Sequence, residues 1–256
     1  MAAIELHDLA QQLATARDSK QQIDPTPFDA IASLEDAYQV QSLAAAAYPS
    51  KQIGYKVGAT NAGVQKLFDC NTPFYGPMFE REVRQPAVEL KLHDGVIGGE
   101  AEFAFVCGSD FPTDKILSTE ELPTLIESCH IAVEIVGRRT LGSGLPGLHS
   151  AVADFGVHVA FIPGPAIDNR DPLDLASVEV KAMTNGEETN SGIGGAVLGN
   201  PLNSLLWLHN ELINSGKALK AGDWVSTGTC LGVIAPVAGV VNIEFNGCGS
   251  IGYQFS

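Results

Sequence analysis

From Ile53 onward the chain breaks into short apolar runs bounded by glycine or proline, and that punctuation most limits the folds open to it. Runs such as Gly54–Gly58, Val96–Val106, Ile131–Val136, Val157–Ile162, Val178–Met183, Trp224–Thr227 and Val240–Phe245 have the length and side-chain content of strands. Two segments between them read as helices. Ser118 with Glu121 three residues on is a capping-box signature, which predicts a helix running to about Cys129. Asn200-Pro201 opens the other, an Asn cap followed by Pro at the first helical position. Leu202, Leu205, Leu206, Leu208, His209 and Leu212 follow, and Gly216 closes it. Many strands with few helices do not make a βαβ repeat, so the expected class is α+β with a mixed, mostly β core.

The first 50 residues have a different texture. Ile4, Leu6, Leu9, Leu13 and Ala16 recur at near-helical spacing until Asp24-Pro25-Thr26-Pro27 breaks the run. Ser33 with Asp36 caps a second helix carrying Ala37, Val40, Leu43 and Ala44. The expected division is an N-terminal helical region over residues 1–70 and a catalytic core over 71–256.

With 30 acidic against 15 basic residues the net charge is -15. Such a surface has nothing to gain from nucleic acid or an anionic membrane. An anionic substrate must therefore find a local cation. The five cysteines, Cys70, Cys107, Cys129, Cys230 and Cys248, contain no CxxC pair, which argues against a disulfide framework or zinc knuckle and fits a reducing compartment. The start, MAAIELHDLA, lacks a signal peptide's basic end and apolar run, and no stretch approaches the roughly 18 apolar residues of a membrane span. A cytoplasmic location is expected.

The segment Gly99-Glu100-Ala101-Glu102-Phe103-Ala104-Phe105-Val106 carries the sharpest chemical signal. Residues two apart in a strand share a face, so Glu100 and Glu102 project together, about 6–7 Å apart at the backbone. Their side continues as Ala104 and Val106, while Ala101, Phe103 and Phe105 face the other way. On a buried face two carboxylates repel each other and lose solvation unless a cation sits between them. Glu134, in the apolar run His130–Val136, is a third carboxylate of the same kind. Three glutamates without a Cys/His set suit a hard ion, Mg²⁺ or Mn²⁺. An edge strand pointing its glutamates at solvent has the same spacing.

Other candidates are weaker. Lys56, in the glycine-bounded run Ile53–Gly58, is either a general acid/base or carboxylate anchor, or a surface lysine. Asp154 is a base, a supporting residue or a turn aspartate. Arg138 and Arg139 follow Glu134 and could steer an anionic substrate, although paired arginines at a strand end are usually solvated. The six histidines show no ligand-like spacing. Gly192-Ile193-Gly194-Gly195 lacks both the GxGxxG spacing and a Walker lysine, so a nucleotide is not expected.

Together GYKVGAT (Gly54–Thr60), PFYGPMF (Pro73–Phe79), EAEFAFV (Glu100–Val106), AVEIVGRR (Ala132–Arg139), GNPLNSLLWLHNEL (Gly199–Leu212) and GDWVSTGT (Gly222–Thr229) resemble the 2-keto-4-pentenoate hydratase and 4-oxalocrotonate decarboxylase group of the fumarylacetoacetate hydrolase superfamily. The resemblance runs in order from about residue 30 to the C-terminus. It implies a core of coiled β-sheet behind a helical region, a metal held by Glu100, Glu102 and Glu134, and an active-site role for Lys56.

The activity it implies is a metal-dependent hydro-lyase of aromatic-compound catabolism, adding water to a 2-hydroxy-2,4-dienoate to give a 4-hydroxy-2-oxo acid. Alternatives are an oxalocrotonate-type decarboxylase, a carbon–carbon bond hydrolase, or a non-catalytic partner. A homo-oligomer, with a possible decarboxylase or hydratase partner, is also implied. One departure stands out. Hydratases of the group carry an Asp-Asn pair where Phe155 follows Asp154 here, before a stretch to Gly164-Pro165 that is one residue shorter. A phenyl ring facing the substrate would favour an uncharged tail over a second carboxylate.

Overall fold

The computed structural model describes every residue except Met1, Asp94 and Asn169. Helix α1 (Ala2–Ser19) buries Leu6, Leu9 and Leu13, as their spacing predicts; the side chain of Ile4 lies outside the described set. Helix α2 (Leu34–Ala47) has the expected capping box, with Ser33 Oγ accepting from Asp36 N and the Asp36 carboxylate accepting from Ser33 N. The two helices pack on each other and, with α4 (Leu148–Ala153), form a layer around Leu9, Leu13, Val40, Ala44 and Val152.

Two sheets make the rest. The six-stranded sheet contains β1 (Gln52–Gly58), β2 (Phe74–Phe79), β4 (Val96–Cys107), β5 (Ile126–Gly137), β6 (His158–Ala166) and β9 (Trp224–Ile234), in the order β2-β1-β9-β4-β5-β6. The five-stranded sheet runs β3-β11-β10-β7-β8, from β3 (Glu89–Leu90), β7 (Glu179–Thr184), β8 (Glu187–Ile193), β10 (Gly239–Phe245) and β11 (Gly249–Phe255). Most pairings are antiparallel, but β1 runs parallel to β9 and β3 to β11. The sheets are mixed, and the class is α+β. Because β1 lies inside the larger sheet, the segment before residue 70 is not helical throughout.

Strand alternation splits the larger sheet's two faces between two cores. Ala101, Phe103, Phe105, Val133 and Ile135 pack with Val180, Ile243 and Phe245 of the smaller sheet and with Leu205, Leu208 and Leu212 of α5 (Pro201–Asn214). Val136, Phe74 and Phe79 pack instead with the N-terminal helices. Helix α5 starts as the Asn-Pro signal predicts, with Asn200 Oδ1 accepting from Leu202 N.

The helix expected from Ser118 to Cys129 does not form. Glu121 does accept from Ser118 N, yet only a single 3₁₀ turn, Leu122–Leu125, follows. Ile126 and Ser128 then pair with Cys107 and Val106 as the start of β5. Cross-strand pairing outweighs a local cap here. The sequence runs do not mark the short helices α3 (Ala62–Leu67) and α4 or the strands β2, β3, β8 and β11. All five cysteines are free, and among the described residues no helix is long and apolar enough to cross a membrane.

Candidate metal centre and active site

Antiparallel pairing of β4 with β5 sets Glu100 directly opposite Glu134, with Glu102 two residues along on the same face. Like charges directly opposite destabilise a ladder, and all three are buried. One carboxylate oxygen from each lies within 4.8 Å of the others. Their burial excludes the solvent-facing reading of this strand.

The surrounding strands fix each carboxylate. The register of β9 against β4 slips between Glu102 and Ala104, so that Thr227 and Gly228 bulge where Thr229 and Ser226 pair. The bulge lets Ser226 Oγ and Gly228 N both donate to Glu102 Oε2, at 2.5 and 2.9 Å. It depends on glycine, because Gly228 has φ +105° and a Cβ there would sit 2.1 Å from Thr60 Oγ1. Glu134 Oε1 accepts from His158 Nδ1 at 2.8 Å, and its Oε2 meets Lys56 Nζ at 3.1 Å. Lys56 Nζ also donates to Gly156 O at 3.1 Å.

Electrostatics follow from burial. Loss of solvent, then repulsion from Glu134 and Glu100, raises the Glu102 carboxyl well above its usual range. Burial pushes Glu100 up to about 7, against the opposing pull of Lys56. Burial alone would lower Lys56, but the charges of Glu134, Glu100 and Glu102 outweigh it and hold the lysine above its ordinary value. Lys56 is thus an ammonium, a proton donor. Burial, with Arg17 and Lys56 nearby, lowers His158 far below its ordinary value. The ring is neutral and donates through Nδ1 to Glu134.

These residues fit a divalent cation. With all three carboxyls ionised, three carboxylates and one ammonium would leave two negative charges for a divalent ion to balance, and the raised Glu100, Glu102 and Glu134 show how poorly the cluster carries that charge without one. Glu102 Oε1 is buried with no hydrogen-bond partner, and an all-oxygen donor set suits Mg²⁺ or Mn²⁺. Glu100, Glu102 and Glu134 would hold the ion. His158 and Ser226 orient the ligands, as hydrogen-bond partners of metal-bound carboxylates do.

Not every candidate joins the cluster. Asp154 is buried and committed: its Oδ1 accepts from Arg139 Nη1 at 2.8 Å and its Oδ2 from Arg139 N at 2.6 Å. That makes it a clamp on the turn, not a free base. Phe155 is fully buried, its ring packed against the guanidinium groups of Arg17 and Arg139 and edge-on against Tyr48 and Phe79. The ring therefore has no face for a substrate tail. Its backbone matters instead: Phe155, Gly156 and Val157 all have positive φ, at 53°, 65° and 57°, and this strained turn carries the Gly156 carbonyl to Lys56. Arg138 is buried, not solvated, and donates to Gly144 O away from the glutamates. Glu82 accepts from Tyr48 Oη at 2.6 Å, while Glu80 is exposed.

Sequence reasoning missed His158, Ser226, Gly228 and the Gly156 carbonyl. His158 has no local signal, because only the pairing of β5 with β6 brings it to Glu134. Ser226 and Gly228 stand in the GDWVSTGT segment, which marked their importance without their role.

No protein-family model matches the chain. It is 33% identical over 229 residues to the TodF product hydratase of Pseudomonas putida, covering 87% of this chain and 84% of that protein. It is 30% identical over 230 residues to a 2-keto-4-pentenoate hydratase of Paraburkholderia xenovorans, with the same coverage. Among solved structures, 4-oxalocrotonate decarboxylase from Pseudomonas putida G7, complexed with magnesium and adipate, superposes with a TM-score of 0.89 at 24% identity, covering 100% of this chain and 99% of the other. Fumarylpyruvate hydrolase from Pseudomonas aeruginosa, in complex with Mn²⁺ and pyruvate, reaches 0.58 at 13% identity, covering 81% of this chain and 90% of that one. At those identities the likeness is one of fold.

Proposed function

This chain belongs to the 2-keto-4-pentenoate hydratase family, and on that premise we propose that it is a divalent-metal-dependent hydro-lyase of 2-hydroxy-2,4-dienoates. The product is a 4-hydroxy-2-oxo acid. The observation that carries this reading is the buried cluster of Glu100, Glu102 and Glu134 with Lys56 beside it. A relative of Comamonas testosteroni, 28% identical over 232 residues, is a 2-hydroxyhexa-2,4-dienoate hydratase, so substrates of this class recur among proteins like this one.

Mg²⁺ or Mn²⁺, when bound, supplies Lewis-acid stabilisation of negative charge on the substrate's carboxylate and 2-oxygen. The chain's own residues supply position and protons. Ser226, Gly228 and His158 hold the carboxylates in one arrangement before any ligand arrives, which removes reorganisation from the reaction. Hydration first moves a proton from the 2-hydroxyl to C5, which turns the dienol into a conjugated 2-oxo-3-enoate. Water then adds through its oxygen at C4 and gives up one proton as C3 gains one, so that the net change is one water. Lys56 is the donor for one of these transfers, since its Nζ is a buried ammonium held by Glu134 and the Gly156 carbonyl. Asp154 acts at one remove, by holding the turn that presents Gly156.

The test is product analysis on 2-hydroxypenta-2,4-dienoate with Mg²⁺ or Mn²⁺. The expected product is 4-hydroxy-2-oxopentanoate, with none formed after chelation. Turnover of an oxalocrotonate-type acid with CO₂ release, and no hydration of the dienoate, would move the chain to decarboxylation.

A further inference from the structure

A cavity of about 360 Å³ lies at the Gly137 end of β5, where the end of α1 meets the smaller sheet. Lys56, Glu100, Glu102 and Glu134 do not line it. Six of the chain's 15 basic residues do: Arg17, Lys20, Arg84, Lys91, Arg138 and Arg139. Against them, among the described residues, stand the lining carboxylates Glu82 and Glu89, and Asp154 neutralises Arg139. Counted by side chains, the cations exceed the carboxylates there by three, in a chain whose net charge is -15. Such a concentration is the opposite of what this composition distributes by default.

Two of the cations are also buried with unmet bonding capacity. Arg17 is 4% exposed and Arg138 6%, and the Nε of each has no hydrogen-bond partner among the described residues. Arg17 Nη2 lies 3.5 Å from Glu82 Oε2, and Arg138 Nη1 donates to Gly144 O at 2.6 Å, so each guanidinium is anchored with part of its fork unused. A buried guanidinium N–H without a partner is costly. Burial, then the like charge of Arg139, lowers Arg17 to about 10. An anion in the cavity would relieve both effects.

The remaining wall selects among anions. Ile135, Val159, Ala160 and Phe255 give the cavity an apolar side, and its volume falls at the small end of the roughly 300–1,000 Å³ of small-molecule sites. We propose that this cavity binds a small organic carboxylate, an anionic head on a short apolar body, at a site separate from the glutamate cluster. Inorganic phosphate would answer the arginines and leave the apolar wall unused. The two sites share a boundary, because Arg17 and Arg139 both donate to the carbonyl of His158, whose ring holds Glu134.

The probe is 4-bromobenzoate, which combines a carboxylate, an apolar ring and an anomalous scatterer. In metal-free protein, calorimetry should show one site, and crystals soaked with the probe should place bromine in this cavity. Lys20→Glu with Lys91→Glu, at two exposed rim positions, should weaken binding at least tenfold with unchanged melting temperature. Bromine at the glutamate cluster alone, a crystal peak with no affinity in solution, or equal affinity in the double variant would overturn the proposal. So would finding the cavity filled by an acidic side chain of a second copy.

Discussion

Lys56 shows how much a single side chain's neighbours decide its chemistry. Alone in a buried strand a lysine loses its proton readily. Beside Glu134, with Glu100 and Glu102 close by, it keeps that proton, which is what the proposed role as donor requires. Replacing it with methionine preserves volume and removes the proton, so turnover should fall by about 10²–10⁴-fold. Mn²⁺ affinity should persist, because no ligand atom is lost. Wild-type turnover in Lys56→Met would return Lys56 to the role of a structural counter-ion. Asp154 gives the converse case. With both oxygens occupied by Arg139, Asp154→Asn leaves a buried guanidinium short of its counter-charge, a change costing about 3–5 kcal/mol. Thermal unfolding should show Tm lower by about 5–10 °C, while kcat per folded molecule stays within about tenfold. A loss of about 10² or more in kcat at unchanged Tm would mark a true base.

At the scale of elements, strand register does most to make the site. The β4–β5 pairing brings Glu100 to Glu134, and the bulge in β9 brings two donors to Glu102. Gly228→Ala tests the bulge: its φ of +105° is poor for alanine, and the new Cβ would strike Thr60. A cost of about 1–3 kcal/mol is expected, with Mn²⁺ affinity down at least tenfold, read by calorimetry. Unchanged affinity would show that Glu102 does not depend on the bulge. The Glu-x-Glu face was legible in the sequence because a strand's period is two. The bulge was not, since nothing in Thr227-Gly228 announces which strand lies opposite. The segment after Ser118 misled for the same reason: its capping signature is real and local, but the partner strand that claims Ile126–Cys129 is about 20 residues away.

Across the whole molecule, the class was legible from punctuation and the N-terminal helices from spacing and caps. The assembly of two sheets and a helical layer was not, because the burial of Lys56, His158 and Phe155 depends on contacts distant in the sequence. Family resemblance pointed to the glutamates and Lys56, and the fold brings them together as a buried cluster whose carboxyls are all raised by burial and which keeps an unpartnered oxygen, Glu102 Oε1. That cluster as a metal site is the central claim, and Mn²⁺ titration of wild-type protein and Glu102→Gln, with dienoate hydration followed on the same samples, tests it most directly. Wild type should bind one ion per chain and lose activity on chelation, and Glu102→Gln should lose at least tenfold in affinity and its activity with it, while remaining folded. Equal Mn²⁺ affinity in the two proteins, or full activity after chelation, would contradict the account.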